Sequence, residues 1–95
     1  MTLFRLDASI RVEGSASREI ADIVEREWLA AHPGAAIERR HIGSEPLPND
    51  AWAAAATAGW TPENQRSPQQ QAAVSLAAEL VDELLAADAI LLAVP

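Results

Sequence analysis

Six apolar residues follow one another without interruption near the end of this chain: Ala89-Ile90-Leu91-Leu92-Ala93-Val94, ahead of Pro95. A run that is apolar at every position has no solvent face. It therefore reads as a central parallel strand, buried on both sides. Parallel strands cannot be joined by tight hairpins, so the segments between them must cross over, usually as helices. The segment just before this run meets that demand. Ser67-Pro68-Gln69-Gln70 places serine at an N-cap, proline at the first helical position and glutamine at the third, which is a capping box. From there the helix runs to about Ala87, with Val74, Ala77, Ala78, Val81, Leu84 and Leu85 as its predicted buried stripe, widened by Leu76 and Leu80.

The rest of the chain repeats the alternation. Residues 2–8 read as a strand with Leu3, Phe4 and Leu6 as apolar members. Residues 9–16 are a loop with one glycine and two serines. A helix follows over residues 17–31, with Ile20, Val24, Trp28 and Ala31 on one face, broadened by Ile23. Asp22 and Arg26 stand at favourable i,i+4 spacing on the other face. His32-Pro33-Gly34 stops that helix. Residues 36–42 form a short strand whose Glu38, Arg39 and Arg40 suit an edge better than a centre. A proline-containing loop leads to a short helix over residues 51–58, capped by Asn49 or Asp50 and ended by Gly59. The order strand, helix, strand, helix, helix, strand predicts an α/β fold: an open parallel sheet with right-handed crossovers and helices on both faces. The most hydrophobic strand comes last and wants neighbours on both sides, so the fold is expected to continue past Pro95, or to be completed by a second copy.

Composition narrows the function. With 95 residues the chain has room for one small domain. The formal net charge is −7, and the seven basic residues, all arginine, do not form a patch. Arg39-Arg40 is the only adjacent pair, and it reads as a solvated strand face. Nucleic acid is therefore not an expected partner. Cysteine is absent, which excludes disulfides, thiolate catalysis and cysteine-bound metal, and fits a cytoplasmic protein. No apolar run reaches the roughly 18 residues of a membrane helix, so no membrane partner is expected.

In open parallel sheets, ligands bind outside the carboxyl ends of the strands. The first loop lies at such an end and opens a helix N-terminus, which carries free N–H groups and about half a positive charge. Ser9, Ser15 and Ser17 add hydroxyl donors, and Gly14 allows close approach. Arg11 and Arg18 are balanced by Glu13 and Glu19, so attraction for an anion would come from N–H groups and hydroxyls. A plainer reading is also open: Ser15 or Ser17 as an N-cap only, and Ser9 as a turn residue. Gly-x4-Gly-Lys-Ser/Thr and Gly-x-Gly-x-x-Gly are both absent.

Asp7-Ala8-Ser9-Ile10-Arg11 followed by Gly14-Ser15-Ala16-Ser17-Arg18 resembles the opening of the FMN-dependent NADH azoreductases, flavodoxin-like enzymes also described as NADH:quinone oxidoreductases. Pro46-Leu47-Pro48 after the second strand, Ser67-Pro68-Gln69-Gln70-Gln71 at the long helix, and Asp88 to Pro95 at the third strand agree with the same family, in order and over the whole chain. The resemblance implies a homodimeric flavoprotein with a flavodoxin-like 2-1-3-4-5 sheet, of which residues 1–95 supply strands 2, 1 and 3 as the N-terminal part of one domain. It implies FMN as cofactor, NADH as hydride donor, and a quinone or azo compound as acceptor. It places Ser9, Ser15, Ala16 and Ser17 at the FMN phosphate, Ala16 through its backbone N–H alone. The family's Met-Tyr-Asn-Phe-like segment, which packs on the flavin ring, would come directly after Pro95. The expectation is that these 95 residues bind FMN weakly and turn over NADH hardly at all. The alternative is a non-catalytic flavodoxin-like fragment that self-associates through its exposed third strand.

Other chemistry-bearing residues have plainer readings. His32 at a helix end favours the macrodipole. His41 ends a strand but has no Cys, Asp or second His at ligand spacing. The acidic residues Glu79, Asp82, Glu83 and Asp88 lie on or beside an exposed helix face. Trp28 is expected in the core. Trp52 and Trp60 flank the alanine-rich helix, where packing is favoured over a pocket role for Trp60.

Overall fold

The computed structural model describes residues 1–95. The chain forms two compact units, one of Met1–Pro46 with Ala86–Pro95 and one of Leu47–Leu85.

The first unit holds β1 (Thr2–Asp7), α1 (Ala16–Ala31), β2 (Ala36–His41) and β3 (Ala89–Ala93). Its three strands form one parallel sheet in the order β2-β1-β3. This is the predicted strand order. Leu3 is level with Ile37 and Ala89, and Asp7 with His41 and Ala93. Side chains alternate along a strand, so Leu3, Arg5 and Asp7 share one face. That face carries α1, because Arg5 reaches Asp22 and Glu25 on that helix.

The strand buried on both faces is β1, not β3. Leu3, Phe4, Arg5 and Asp7 are all buried. β3 is an edge, and Ile90, Leu92 and Val94 are more than half exposed. The apolar run forms a parallel strand, third in the expected order 2-1-3, with its outer edge open among residues 1–95. Periodicity reports which side chains avoid water, whereas centrality depends on a neighbour that residues 1–95 do not place there.

α1 begins at Ala16, one residue before the expected start, with Ser15 as its N-cap; the Ser15 hydroxyl accepts a hydrogen bond from the Arg18 N–H at 3.3 Å. Its predicted apolar face is mostly uncovered. Ala21 is its one buried residue, while Ile20, Ile23 and Val24 are exposed and Trp28 is half-buried. Trp28 stacks on His32, with ring centroids 4.4 Å apart. His32 is the C-cap; its backbone N–H donates to the Trp28 carbonyl, and its Nδ1 lies 3.0 Å from that same oxygen. The expected Asp22–Arg26 pair gives way to Asp22–Arg5, at 2.7 Å. A nearly dry guanidinium is the stronger partner, because water competes for it less.

The second unit holds α2 (Ala51–Ala58), a 3₁₀ turn (Glu63–Gln65) and most of α3 (Pro68–Ala86). The capping box is present in both halves. Ser67 N–H donates to Gln70 Oε1 at 2.9 Å, and Gln70 N–H donates to Ser67 Oγ at 3.1 Å. Gly59 caps α2 as expected. Asp50 occupies the N-cap position without making a side-chain cap bond; its carboxylate accepts from Gln69 instead. Burial on α3 falls on Ala73, while Val81, Leu84 and Leu85 of the predicted stripe are exposed. An apolar stripe is buried only where another layer covers it. Trp52 and Trp60 are both exposed.

Candidate anion site at the strand ends

The carboxyl ends of the three strands meet at Asp7, His41 and Ala93. Two hydrogen bonds carry the sheet pattern past the strand ends: Ala8 N–H to the Ala93 carbonyl and Ile42 N–H to the Asp7 carbonyl, both 2.9 Å. The β1–α1 loop rises from this edge. Ser9 is buried, and its hydroxyl accepts from the Arg11 N–H at 3.1 Å. Gly14 takes a left-handed φ of 69°, which turns the chain into α1. Ser15 is buried, Ser17 is half-buried, and their hydroxyls lie 3.1 Å apart.

A proton count shows what this loop can offer. The Ser9 oxygen already accepts, so its own hydrogen is free to donate. Ser15 and Ser17 spend one hydroxyl hydrogen on each other, which leaves one for a ligand. The first turn of a helix has backbone N–H groups with no intrahelical partner. Ser15 meets that of Arg18, and those of Ala16 and Ser17 remain available as donors. At the same edge, His41 Nδ1 accepts from the Ser44 N–H at 3.0 Å. Nε2 of the same ring is buried without a partner. The site is rich in donors, which suits an anion.

The structure brings Ser9, Ser15, Ala16 and Ser17 onto one loop and helix start. Two further features shape the setting. The first is a charge cluster beneath α1. The Arg5 side chain is 4 % exposed. Its Nε and Nη2 form a fork with the Asp7 carboxylate at 2.9 and 3.1 Å. Nη1 lies 2.7 Å from Asp22 and 3.5 Å from Glu25. Nη2 also donates to the Arg18 carbonyl at 3.3 Å. Arg39 then binds Glu25 at 2.8 Å. Burial works against the Arg5 charge, but hydrogen bonds to Asp7 and Asp22 more than offset it, so its pKa lies above the usual arginine value. Its sequence signal was two charges, Arg5 and Asp7, at alternate positions of an otherwise apolar strand. The second feature is Gly43. A Cβ there would sit 2.0 Å from the Ser9 carbonyl oxygen, so the β2–α2 loop packs directly on the Ser9 backbone.

Beside Ser17, a shallow groove runs between α1 and β3, lined by Ile20, Ala21, Val24 and residues 91–94. Its walls are apolar, in contrast to the loop above it.

A family model for the flavodoxin-like fold matches residues 1–95, the whole chain. The chain belongs to the flavodoxin-like fold family. Among curated relatives, this flavodoxin-like chain is 40 % identical over 95 residues to an FMN-dependent NADH:quinone oxidoreductase of Xanthobacter autotrophicus, covering 99 % of this chain and 45 % of that protein. Proteins of the same name from Frankia alni and Nostoc punctiforme are 41 % and 40 % identical, with 98 % and 100 % of this chain covered and 44 % and 46 % of theirs. The flavodoxin-like chain thus spans about half the length of the curated relatives it matches. No helix in it is long and apolar enough to cross a membrane.

Proposed function

We propose that this chain carries the FMN-phosphate half of the site of an FMN-dependent NADH:quinone oxidoreductase, within one flavodoxin-like domain. The observation that carries the reading is the loop of Ser9, Ser15, Ala16 and Ser17 at the carboxyl ends of β1 and β3. It offers hydroxyls and N–H groups at the start of a 16-residue helix, and the nearest strand carboxylate, Asp7, is already held by Arg5. That donor set fits a phosphate monoester. Ser9 and one of the Ser15–Ser17 pair donate hydroxyl hydrogens, Ala16 and Ser17 donate backbone N–H, and the helix dipole favours the negative charge.

When bound, the flavin supplies the redox chemistry: it takes a hydride from NADH and passes two electrons to a quinone or an azo compound. The role of these residues is to bind and orient. By holding the phosphate they would tether the cofactor at this loop. The apolar groove of Ile20, Val24 and residues 91–94 offers an apolar wall beside it. The whole protein would be a cytoplasmic homodimer, in keeping with the family resemblance.

The test is a titration of the isotope-labelled chain with FMN and, separately, with riboflavin, followed by amide shifts. FMN is expected to move the amides of Ser9, Ala16 and Ser17, and riboflavin at equal concentration to leave them in place. NADH oxidation by the chain should not exceed that of free FMN. Equal shifts with both ligands, or none with FMN, would refute the phosphate assignment.

A second reading rests on the exposed edge of β3. Ile90, Leu92 and Val94 project from a strand that has no charge, proline or glycine from Ala89 to Val94 to block pairing. On this reading the chain self-associates through its third strand without catalysis.

A further inference from the structure

We propose that Arg5 is the positioning residue of the anion cradle: its guanidinium locks the first two turns of α1 over the end of β1 and so sets Ser15 and Ser17 relative to Ser9. The ligand named for that cradle rests on the function proposed above; the positioning itself does not.

Little else holds the start of α1. Apolar packing is non-directional and roughly proportional to the area removed from water. On this helix Ile20, Ile23 and Val24 remain 62 %, 52 % and 43 % exposed, and Ala21 is the one buried residue. Alanine buries too little surface to fix how a helix slides or rotates. Further along the helix, Glu25 ties α1 to β2 through Arg39, at 2.8 Å. The near end has Arg5.

Arg5 is built for that task. Its planar fork binds Asp7 through two hydrogen bonds, which fixes the guanidinium on β1. From that fixed plane Nη2 reaches the Arg18 carbonyl in the first turn, and Nη1 reaches Asp22 in the second. Two contacts one turn apart define both the height and the rotation of the helix. Asp7 lies two residues before Ser9, and Arg18 is the residue whose N–H is capped by Ser15. The same guanidinium therefore joins both sides of the cradle. A buried ion cluster is weak evidence for stability, since apolar residues of equal volume often serve as well. Directional placement is what such residues could not supply.

Charge adds a second effect. Asp7, Asp22 and Glu25 all face Arg5, and Arg39 shares only Glu25. Without Arg5, the buried carboxylate of Asp7 would lie uncompensated at the foot of a site that must take a phosphate.

The experiment compares Arg5→Lys, Arg5→Met and the Arg5→Met/Asp7→Leu double variant in the full chain, by residue-resolved amide hydrogen exchange and by FMN titration. Lysine keeps the charge and loses the fork. Arg5→Lys is expected to speed exchange of Glu19 to Ile23 about tenfold, the loss of roughly one charge-assisted hydrogen bond. Exchange in β1, β2 and at Trp28 to His32 should stay as it is. FMN should bind about tenfold more weakly, by the same loss. The double variant is expected to recover sheet stability while the start of α1 stays unprotected. A uniform rise in exchange over the whole unit would overturn the proposal, because an ordinary core residue would do that. Full recovery of α1 in the double variant would also overturn it, reducing Arg5 to a counter-charge for Asp7. If the chain shows no FMN contact at Ser9 to Ser17 but Arg5→Lys still loosens α1 selectively, the FMN reading falls and the positioning role stands. If Arg5→Met does not fold, Arg5→Lys decides the matter alone.

Discussion

Replacing Gly43 by alanine should disturb the cradle from the opposite side of the loop. An ideal Cβ at this position lies 2.0 Å from the Ser9 carbonyl oxygen, 2.5 Å from its carbonyl carbon and 3.1 Å from the Ala8 oxygen. Ordinary carbon contacts begin near 3.5 Å, so the two backbones must part by well over an ångström. Neither can yield freely. The strand end next to Gly43 is tied by Ile42 N–H to the Asp7 carbonyl, and the residue before Ser9 by Ala8 N–H to the Ala93 carbonyl. Relief must stretch or break one of these bonds, at about 1 kcal/mol. Overpacking of a well-filled site adds about 1–3 kcal/mol. The sum, roughly 2–4 kcal/mol, is a large share of the about 5–15 kcal/mol that stabilises a small domain. Urea unfolding followed by far-ultraviolet circular dichroism reads it out. With a slope of about 2 kcal/mol per molar, the midpoint should fall by roughly 1–2 M. Gly14→Ala is the control. Its Cβ would meet nothing within 4 Å, but its φ of 69° is unfavourable for a side chain, so it should lose about 1–2 kcal/mol from backbone strain alone. The amide shifts of Ser9 should move in Gly43→Ala and hold in Gly14→Ala. A loss below about 0.5 kcal/mol in Gly43→Ala, the level of a neutral surface change, would refute the claim that Ser9 is held against this loop.

Two further outcomes are expected. Ser67→Ala removes the hydroxyl that accepts from the Gln70 N–H; it should cost about 1 kcal/mol and raise hydrogen exchange at the first turn of α3, and an unchanged chemical-denaturation midpoint would count against the capping box. Leu92→Lys places a charge on the open edge of β3, where Leu92 is 58 % exposed. It should change stability by no more than about 0.5 kcal/mol and abolish any concentration-dependent association seen in sedimentation velocity; association that persists would dismiss the β3 edge as its cause.

What the sequence determined by itself was local. Strand and helix periods, the Ser67–Gln70 capping box, the stops at His32-Pro33-Gly34 and Gly59, and the serine-bearing turn into α1 all depend on residues a few positions apart, so they are legible along the chain. Family resemblance extended this to the β2-β1-β3 order. Tertiary structure decided what depends on residues far apart. Arg5 is buried because Asp22 and Glu25 come down upon it from a helix more than a dozen residues away, and no propensity scale anticipates a dry arginine in a central strand. Gly43 must be glycine because the Ser9 backbone lies against it, a contact set by strand register. β3 is apolar on both faces yet lies at an edge, and the last turns of α3 carry leucines into water. In both, the apolar pattern records where a side chain is suited to be, while its exposure depends on what covers it. A donor-rich loop was therefore visible from the residues alone, whereas the arginine that holds its helix in place became visible only once the strands were paired.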